Sequence, residues 1–461
     1  MSSIEQLFNK FVDNVIKNGV YAPKEKIIDV VYNIKELIVQ NKDKTPEEIV
    51  ELIIEENIKL LHEIINSDLP IPGFTTGINV ANINVKLFGG YRNFKKEPLN
   101  ENAIFDCASI TKFLTEIVAY SLIKDGFINI NDSIKTLDNT KVNLENITIE
   151  DILTFNVEFR TNGRLESMKT KTQFQNCLNT VEVCNKGKFH YNDIGMMILK
   201  DVFEKVMNVS FENLVKKYIL EKLNIYDIYL KVPKEKRSLI TGTPNTETLL
   251  PNDPKVVGAG GYSGHAGMFS TSDGLIKLGS GILNSNLLGD NTSDLYTVGK
   301  KYNRAVMGTV YVSHPEGVKK SFVSELSSRK AFALQGSTKT QLNVDKFTID
   351  KNNYIATSTI LLNPASMSIE EAKRQEILIN KEREKRGEAQ LSLVKHFTFD
   401  NDGKIIEYDL IDVRPIIPFN KTINPLTDKN AEVILKFMFL SEYIKEYDSG
   451  YNKQIEIIKK I

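Results

Sequence analysis

Strand-like runs occupy only two parts of the first 365 residues, and any fold for this chain must fit a long helical stretch between them. The first part comprises Phe74–Val80 and Ile83–Phe88, with Ala81-Asn82 as a hairpin turn. Helices and loops then alternate to about residue 285, and strand patterns return at 305–313, 321–326, 331–335, 338–349 and 353–362. Ahead of the first strands, residues 1–68 read as helices. Leu7, Phe8, Phe11, Val12, Val15 and Ile16 share one helical face. Pro23 suits a first helical turn, and Thr45-Pro-Glu-Glu opens a third helix. These apolar faces are expected to pack onto the body of the protein or to form a self-interface in a homo-oligomer. Leu69-Pro-Ile-Pro-Gly73 ends the pattern. Beyond residue 366 the charged run Glu370–Glu388 reads as a solvated helix, followed by strands near 393–400 and 404–410 and a helix near 428–446. Three units are expected: a helical extension at 1–70, a central domain at 71–365 and an α+β extension at 366–461.

Composition removes several classes of function. Lys plus Arg equals Asp plus Glu at 59 each, so no nucleic-acid or anionic-membrane partner is expected. Cys107, Cys177 and Cys184 are too few and too scattered for a disulfide framework or a zinc pair. The histidines at 62, 190, 265, 314 and 396 have no metal-ligand spacing, and neither metal nor organic cofactor is expected. No stretch approaches the roughly 18 apolar residues of a membrane span. The start, Met1-Ser-Ser-Ile-Glu-Gln-Leu-Phe, lacks a signal peptide's basic and apolar regions, so the expected compartment is the cytoplasm.

The chemistry centres on Phe105-Asp-Cys-Ala-Ser109-Ile-Thr-Lys112-Phe-Leu-Thr-Glu-Ile-Val-Ala. Apolar spacing is helical from Ser109 onward, and residues three apart share a helix face, so Ser109 and Lys112 can meet. A serine starting a helix has backbone N–H groups and the helix dipole beside a developing oxyanion. A desolvated lysine of lowered pKa could take its proton. On spacing alone, an N-cap serine with an exposed lysine is the better reading. The surrounding residues add a resemblance to the F-x-x-A-S-x-T-K box of serine hydrolases related to class C β-lactamases and penicillin-binding proteins. Leu122-Ile-Lys-Asp-Gly126-Phe-Ile-Asn-Ile-Asn-Asp132 and Ile147-Thr-Ile-Glu-Asp-Ile-Leu-Thr154 resemble that family's connecting segments, with Phe155 where a histidine is usual. Phe189-His-Tyr191-Asn-Asp193-Ile-Gly195 resembles its Y-S-N/Y-S-D-x-G box. That resemblance makes Tyr191 the phenol sharing the Ser109 proton. Asp193 either bonds Lys112 or substrate, or caps the next helix. Gly264-His265-Ala-Gly267-Met-Phe-Ser-Thr271 resembles a G-H-A-G-L-F-S-T stretch, in which His265 is a structural histidine or a substrate contact.

The family's third box, K-T-G or H-x-G, corresponds to Leu334-Gln335-Gly336. Gly336 allows close approach of substrate, and Ser337 would supply the second oxyanion N–H beside that of Ser109. Leu334 replaces the cation that usually binds a substrate carboxylate, which argues against a penicillinase and leaves uncharged esters or amides open. Lys339 is expected on a strand facing solvent, compensation for Leu334 being its other reading. The resemblance, over about 72–365, implies an α+β fold of the β-lactamase/transpeptidase type: an antiparallel sheet flanked by helices, with an inserted helical lobe. It implies a serine hydrolase acting on a small or medium acyl substrate. The alternatives are an acyltransferase of the same fold and a catalytically degraded binding protein.

Overall fold

The computed structural model describes residues 4–20, 22–66, 73–80, 83–93, 96–168, 170–241, 251–298, 304–313, 322–363, 369–400, 405–411 and 419–447. Strands from the two distant parts of the chain meet in one antiparallel sheet. Its members are β1 (Gly73–Val80), β2 (Ile83–Gly90), β3 (Tyr311–Val312), β4 (Phe332–Gly336), β5 (Thr340–Ile349) and β6 (Asn352–Asn363), in the order β2-β1-β6-β5-β4-β3. The joint between early and late strands is the β1–β6 ladder, running from Gly73 opposite Asn363 to Val80 opposite Ala356. β1 and β2 pair from Gly73–Gly90 to Val80–Ile83, while their Ala81-Asn82 turn lies outside the described residues. Asp350 and Lys351, both at positive φ, form the two-residue turn that joins β5 to β6.

Side chains alternate between two cores. Phe347, Ile349, Tyr354, Ala356, Ile360 and Leu362 face a back layer. That layer consists of α1 (Ile4–Lys17), α2 (Lys24–Gln40), α3 (Pro46–Asn66) and the terminal helix Phe419–Tyr447. Phe8 and Phe11 meet Phe439 edge-on, with centroids 5.7 and 5.4 Å apart. Leu342, Val344 and Leu361 face the front, where α4 (Thr111–Lys124), α5 (Ile194–Met207) and α6 (Ser272–Asn284) belong to the inserted helical region. α3 opens with a capping box between Thr45 and Glu48. Pro23 precedes α2 as its cap rather than entering the first turn.

α7 (Ile369–Lys385) leads to the antiparallel pair β7 (Val394–Asp400) and β8 (Ile405–Ile411), and the terminal helix is α8 (Phe419–Tyr447). The strand expected at 321–326 is not one: residues 322–326 are bends and turns. There the Ser324 hydroxyl accepts from Leu326 N and donates to Asp428, so a side chain takes the backbone bonding that a ladder would need.

Candidate active site

Ser109 lies in a single 3-10 turn, Ala108–Ile110, that runs directly into α4. Ala108 is held at φ 43°, in the left-handed region, which costs on the order of 1 kcal/mol. Asp106 offsets that strain. It accepts from Ala108 N at 2.8 Å and from Asn252 N at 2.7 Å, tying the turn to a remote loop. Burial pushes the Asp106 carboxyl up to about 6. One turn on, Thr111 accepts from Met268 N at 3.0 Å and Thr115 donates to Gly264 O at 2.6 Å, so α4 holds the 264–268 loop against the nucleophile.

The Lys112 ammonium is buried and has three acceptors: Ser109 Oγ at 2.9 Å, His265 O at 3.1 Å and Asp193 Oδ1 at 2.7 Å. Burial alone would lower its pKa. The Asp193 carboxylate and Tyr191 outweigh burial and hold it above the ordinary lysine value. This differs from the lowered pKa expected from desolvation, because the Asp193 carboxylate lies against the buried ammonium. Asp193 does not cap α5; Asn192 does so, accepting from Gly195 N at 2.9 Å. The Asp193 carboxylate turns inward and bridges Lys112 and Lys255, the latter at 2.6 Å. Despite burial, Lys112, His265 and Lys255 hold it well below the usual carboxylate range.

Tyr191 stands over this pair, with Lys112 Nζ 4.8 Å from its ring centroid. Its other neighbours are Phe155, with centroids 5.0 Å apart, and the Arg304 guanidinium at 4.5 Å. Phe155, in place of the usual histidine, is thus a packing surface for Tyr191. The third box arrives on β4. A Cβ at Gly336 would lie 2.3 Å from Cys107 O, so only glycine lets β4 reach the nucleophile turn. Thr338 donates to Asp106 O and fastens the same contact. Ser109, Tyr191, Gly336 and Ser337 consequently line one cleft of about 440 Å³.

Two residues lie elsewhere than expected. Lys339 does not face solvent from a strand. It occupies the turn between β4 and β5 at φ 67°, is buried and lines the cleft; burial pushes its ammonium down to about 8. The His265 side chain is buried away from the cleft lining, and only its backbone oxygen touches Lys112. Its Nε2 lies 3.4 Å from Asp253 Oδ2, off hydrogen-bond alignment, and burial holds its pKa below the ordinary value. Leu334 packs in the front core. Sequence reasoning gave no site role to Lys255, Asp253, Arg304, Tyr311 or Gln335: Arg304 and Tyr311 come from a segment without a motif, Gln335 is the middle residue of the third box, and the carboxylate and lysine of Pro251-Asn-Asp-Pro-Lys255 were the available signal for the other two.

Among the described residues, Asp193, Asp253 and His265 have donor atoms within 4.8 Å of one another, as a metal site would require. Lys112 and Lys255 already occupy both Asp193 oxygens, and a cation there would meet two ammonium groups. The donor set fits an ion-pair network rather than a metal.

A sheet with flanking helices, an inserted helical region, and a Ser-x-x-Lys helix start meeting a Tyr-x-Asp turn define a protein of the serine β-lactamase and penicillin-binding-protein class. The chain belongs to the Beta-lactamase family, whose sequence model matches residues 71–340, more than half its length. Among solved structures it is similar to a class C β-lactamase mutant at 16% identity and TM-score 0.54, covering 71% of this chain and 95% of that one. FmtA from Staphylococcus aureus is similar at 17% identity and TM-score 0.51, covering 78% and 97%. The octameric penicillin-binding protein homologue from Pyrococcus abyssi is similar at 20% identity and TM-score 0.48, covering 73% and 78%. No curated protein matches the chain. Among the described residues no helix is long and apolar enough to cross a membrane.

Proposed function

We propose that this chain is a serine hydrolase that forms an acyl-enzyme at Ser109 and hydrolyses an ester or amide of a small or medium acyl group. The observation carrying this reading is the 2.9 Å contact between Lys112 Nζ and Ser109 Oγ at a cleft also lined by Tyr191 and Ser337. With three acceptors around it, Lys112 is an ammonium in the resting enzyme, so the proton acceptor is the Lys112–Tyr191 pair in its form one proton short. Ser109 Oγ attacks the acyl carbonyl while its proton passes to that pair. The tetrahedral oxyanion is held by the N–H groups of Ser109 and Ser337. The bond to the leaving oxygen or nitrogen breaks, and the pair returns the proton to it. Water then repeats the sequence: one proton goes to the pair, the acid departs, and the pair reprotonates Ser109.

The test is intact-protein mass after a fluorophosphonate probe, together with turnover of p-nitrophenyl esters, in wild type and Ser109→Ala. An adduct and turnover in wild type alone are expected. Equal turnover by the alanine variant, or no adduct on wild type, overturns the assignment. Lys112→Ala should lose activity to a similar degree, about 10³-fold or more, because the groups act as a unit.

A further inference from the structure

The loop that carries Lys255 is tied to the nucleophile turn and to the Tyr-x-Asp turn at once. Asn252 N donates to Asp106 Oδ2 at 2.7 Å, and Asp106 also holds the turn that presents Ser109. Asp253 then caps the short helix Pro254–Gly258, accepting from Lys255 N at 2.9 Å. With its backbone fixed in this way, the Lys255 ammonium lies 2.6 Å from Asp193 Oδ2 and 3.6 Å from Asp253 Oδ2. Lys112 Nζ takes the other Asp193 oxygen, Oδ1, at 2.7 Å. One carboxylate thus serves two ammonium groups. Lys112 touches Ser109 Oγ at 2.9 Å, whereas Lys255 does not line the cleft.

A carboxylate shared between two cations attracts each less than it would attract one alone, and the cations repel each other. Lys255 therefore opposes the hold of Asp193 on Lys112. The other charged and titratable groups nearby act from different sides. Tyr191 lies over Lys112, with Tyr311 and Arg304 beyond it. Glu116, one turn along α4, is buried and accepts from Thr309 N at 2.9 Å. Glu166 is paired with Arg164 and feels the charge of Lys255, and His265 Nε2 lies 3.4 Å from Asp253. Of these groups, Lys255 is the cation that binds the same carboxylate as Lys112.

Resting on the proposed hydrolase reading, we propose that Lys255 is a positioning residue for the proton transfer. It holds the second oxygen of Asp193, keeps that carboxylate from closing on Lys112 alone, and so eases the loss of the Lys112 proton that readies the site to accept from Ser109. That proton leaves to solvent before Ser109 reacts.

The experiment follows the rate of fluorophosphonate labelling at Ser109 against pH by intact-protein mass, a readout that requires no known substrate. Lys255→Met should move the ascending limb to higher pH. At a fixed pH on that limb, labelling should slow about threefold to tenfold, the factor of a shift of about half to one pH unit. Above the limb the rate should return toward that of wild type. Lys255→Arg keeps the cation and should leave the limb in place. Adding Lys255→Met to Asp193→Asn should move the limb little, because the shared carboxylate is gone. If Lys255→Met does not fold, Lys255→Gln, which keeps a donor for Asp193 without the charge, decides on the same criterion. A limb that stays in place, with Ser109 still labelled, overturns the positioning role and leaves the hydrolase reading intact. An equal loss of rate at every pH, or a full shift that persists in Asp193→Asn, also overturns it. Wild-type enzyme left unlabelled at every pH overturns the hydrolase reading and this one with it.

Discussion

Lys112 is surrounded by acceptors, and the charge of one of them sets how it behaves. Removing the Asp193 carboxylate takes away the strongest attraction on the Lys112 ammonium while the burial that opposes its charge remains. Asp193→Asn should therefore let Lys112 lose its proton at lower pH. The ascending limb of the pH profile of kcat/KM should move to lower pH, with a maximum reduced about 10–100-fold because Lys112 and Lys255 are left without their bridge. A limb that stays in place would show that Lys112 does not set it. Glu116 gives a prediction read in stability. Its carboxyl is raised from 4.5 to about 8 in the fold, so the native state binds the extra proton between those values. Its contribution to stability is present below about 4.5 and is lost as pH rises toward 8. Glu116→Gln keeps an acceptor for Thr309 N and removes the buried charge. It should stabilise the protein by about 2 kcal/mol or more at pH 9 and by little at pH 5, measured as denaturant midpoints. Ser109, Lys112, Tyr191 and Asp193 were legible as candidates because each sits in a short local pattern. Arg304 and Lys255 were not, because their relation to the cleft exists only after segments far apart in the chain have packed.

At the scale of elements, the approach of β4 to the nucleophile turn places Ser337 in the cleft with Ser109. Gly336→Ala would put a methyl 2.3 Å from Cys107 O and the same distance from Thr340 Oγ1. The strand must then back away, costing about 1–3 kcal/mol of stability. The expected kinetic result is a fall in kcat larger than the rise in KM, since the oxyanion N–H moves away from the transition state. An unchanged kcat would place the oxyanion donor elsewhere. The same region shows why Lys339 was misread. Alternation over 338–349 suggests one continuous strand, but β5 starts at Thr340, and the positive φ at Lys339 turns its side chain into the cleft. The Ile369–Lys385 helix and the β7–β8 pair were readable from charge pattern and alternation. The terminal helix was expected near 428–446, yet it begins at Phe419 and runs through Pro425, a residue that disfavours a helix interior.

On the whole-molecule scale, β5 and β6 contribute to both cores, Leu342, Val344 and Leu361 to the front and Phe347, Ile349, Ala356 and Ile360 to the back. The sequence shows a helical start and an α+β end flanking a central unit, and it cannot show that α1, α2, α3 and α8 close over the back of that unit's sheet. Loss of the back layer would expose Phe74, Ile78, Phe347 and Ile360 to water, on strands of the same sheet whose β3 and β4 line the cleft. The back layer and the helical region should therefore unfold together, as one two-state transition. The chain contains no tryptophan, so Phe439→Trp reports the back layer without interference. Cys184 is the exposed cysteine of the three, on the strand Glu182–Lys186 of the helical region, and a thiol dye there reports the front. Coincident urea midpoints from the two signals are expected. A back-layer midpoint at clearly lower urea, with the Cys184 signal and Ser109 labelling retained, would show instead that residues 1–70 and 366–461 are separable extensions of a self-sufficient central domain.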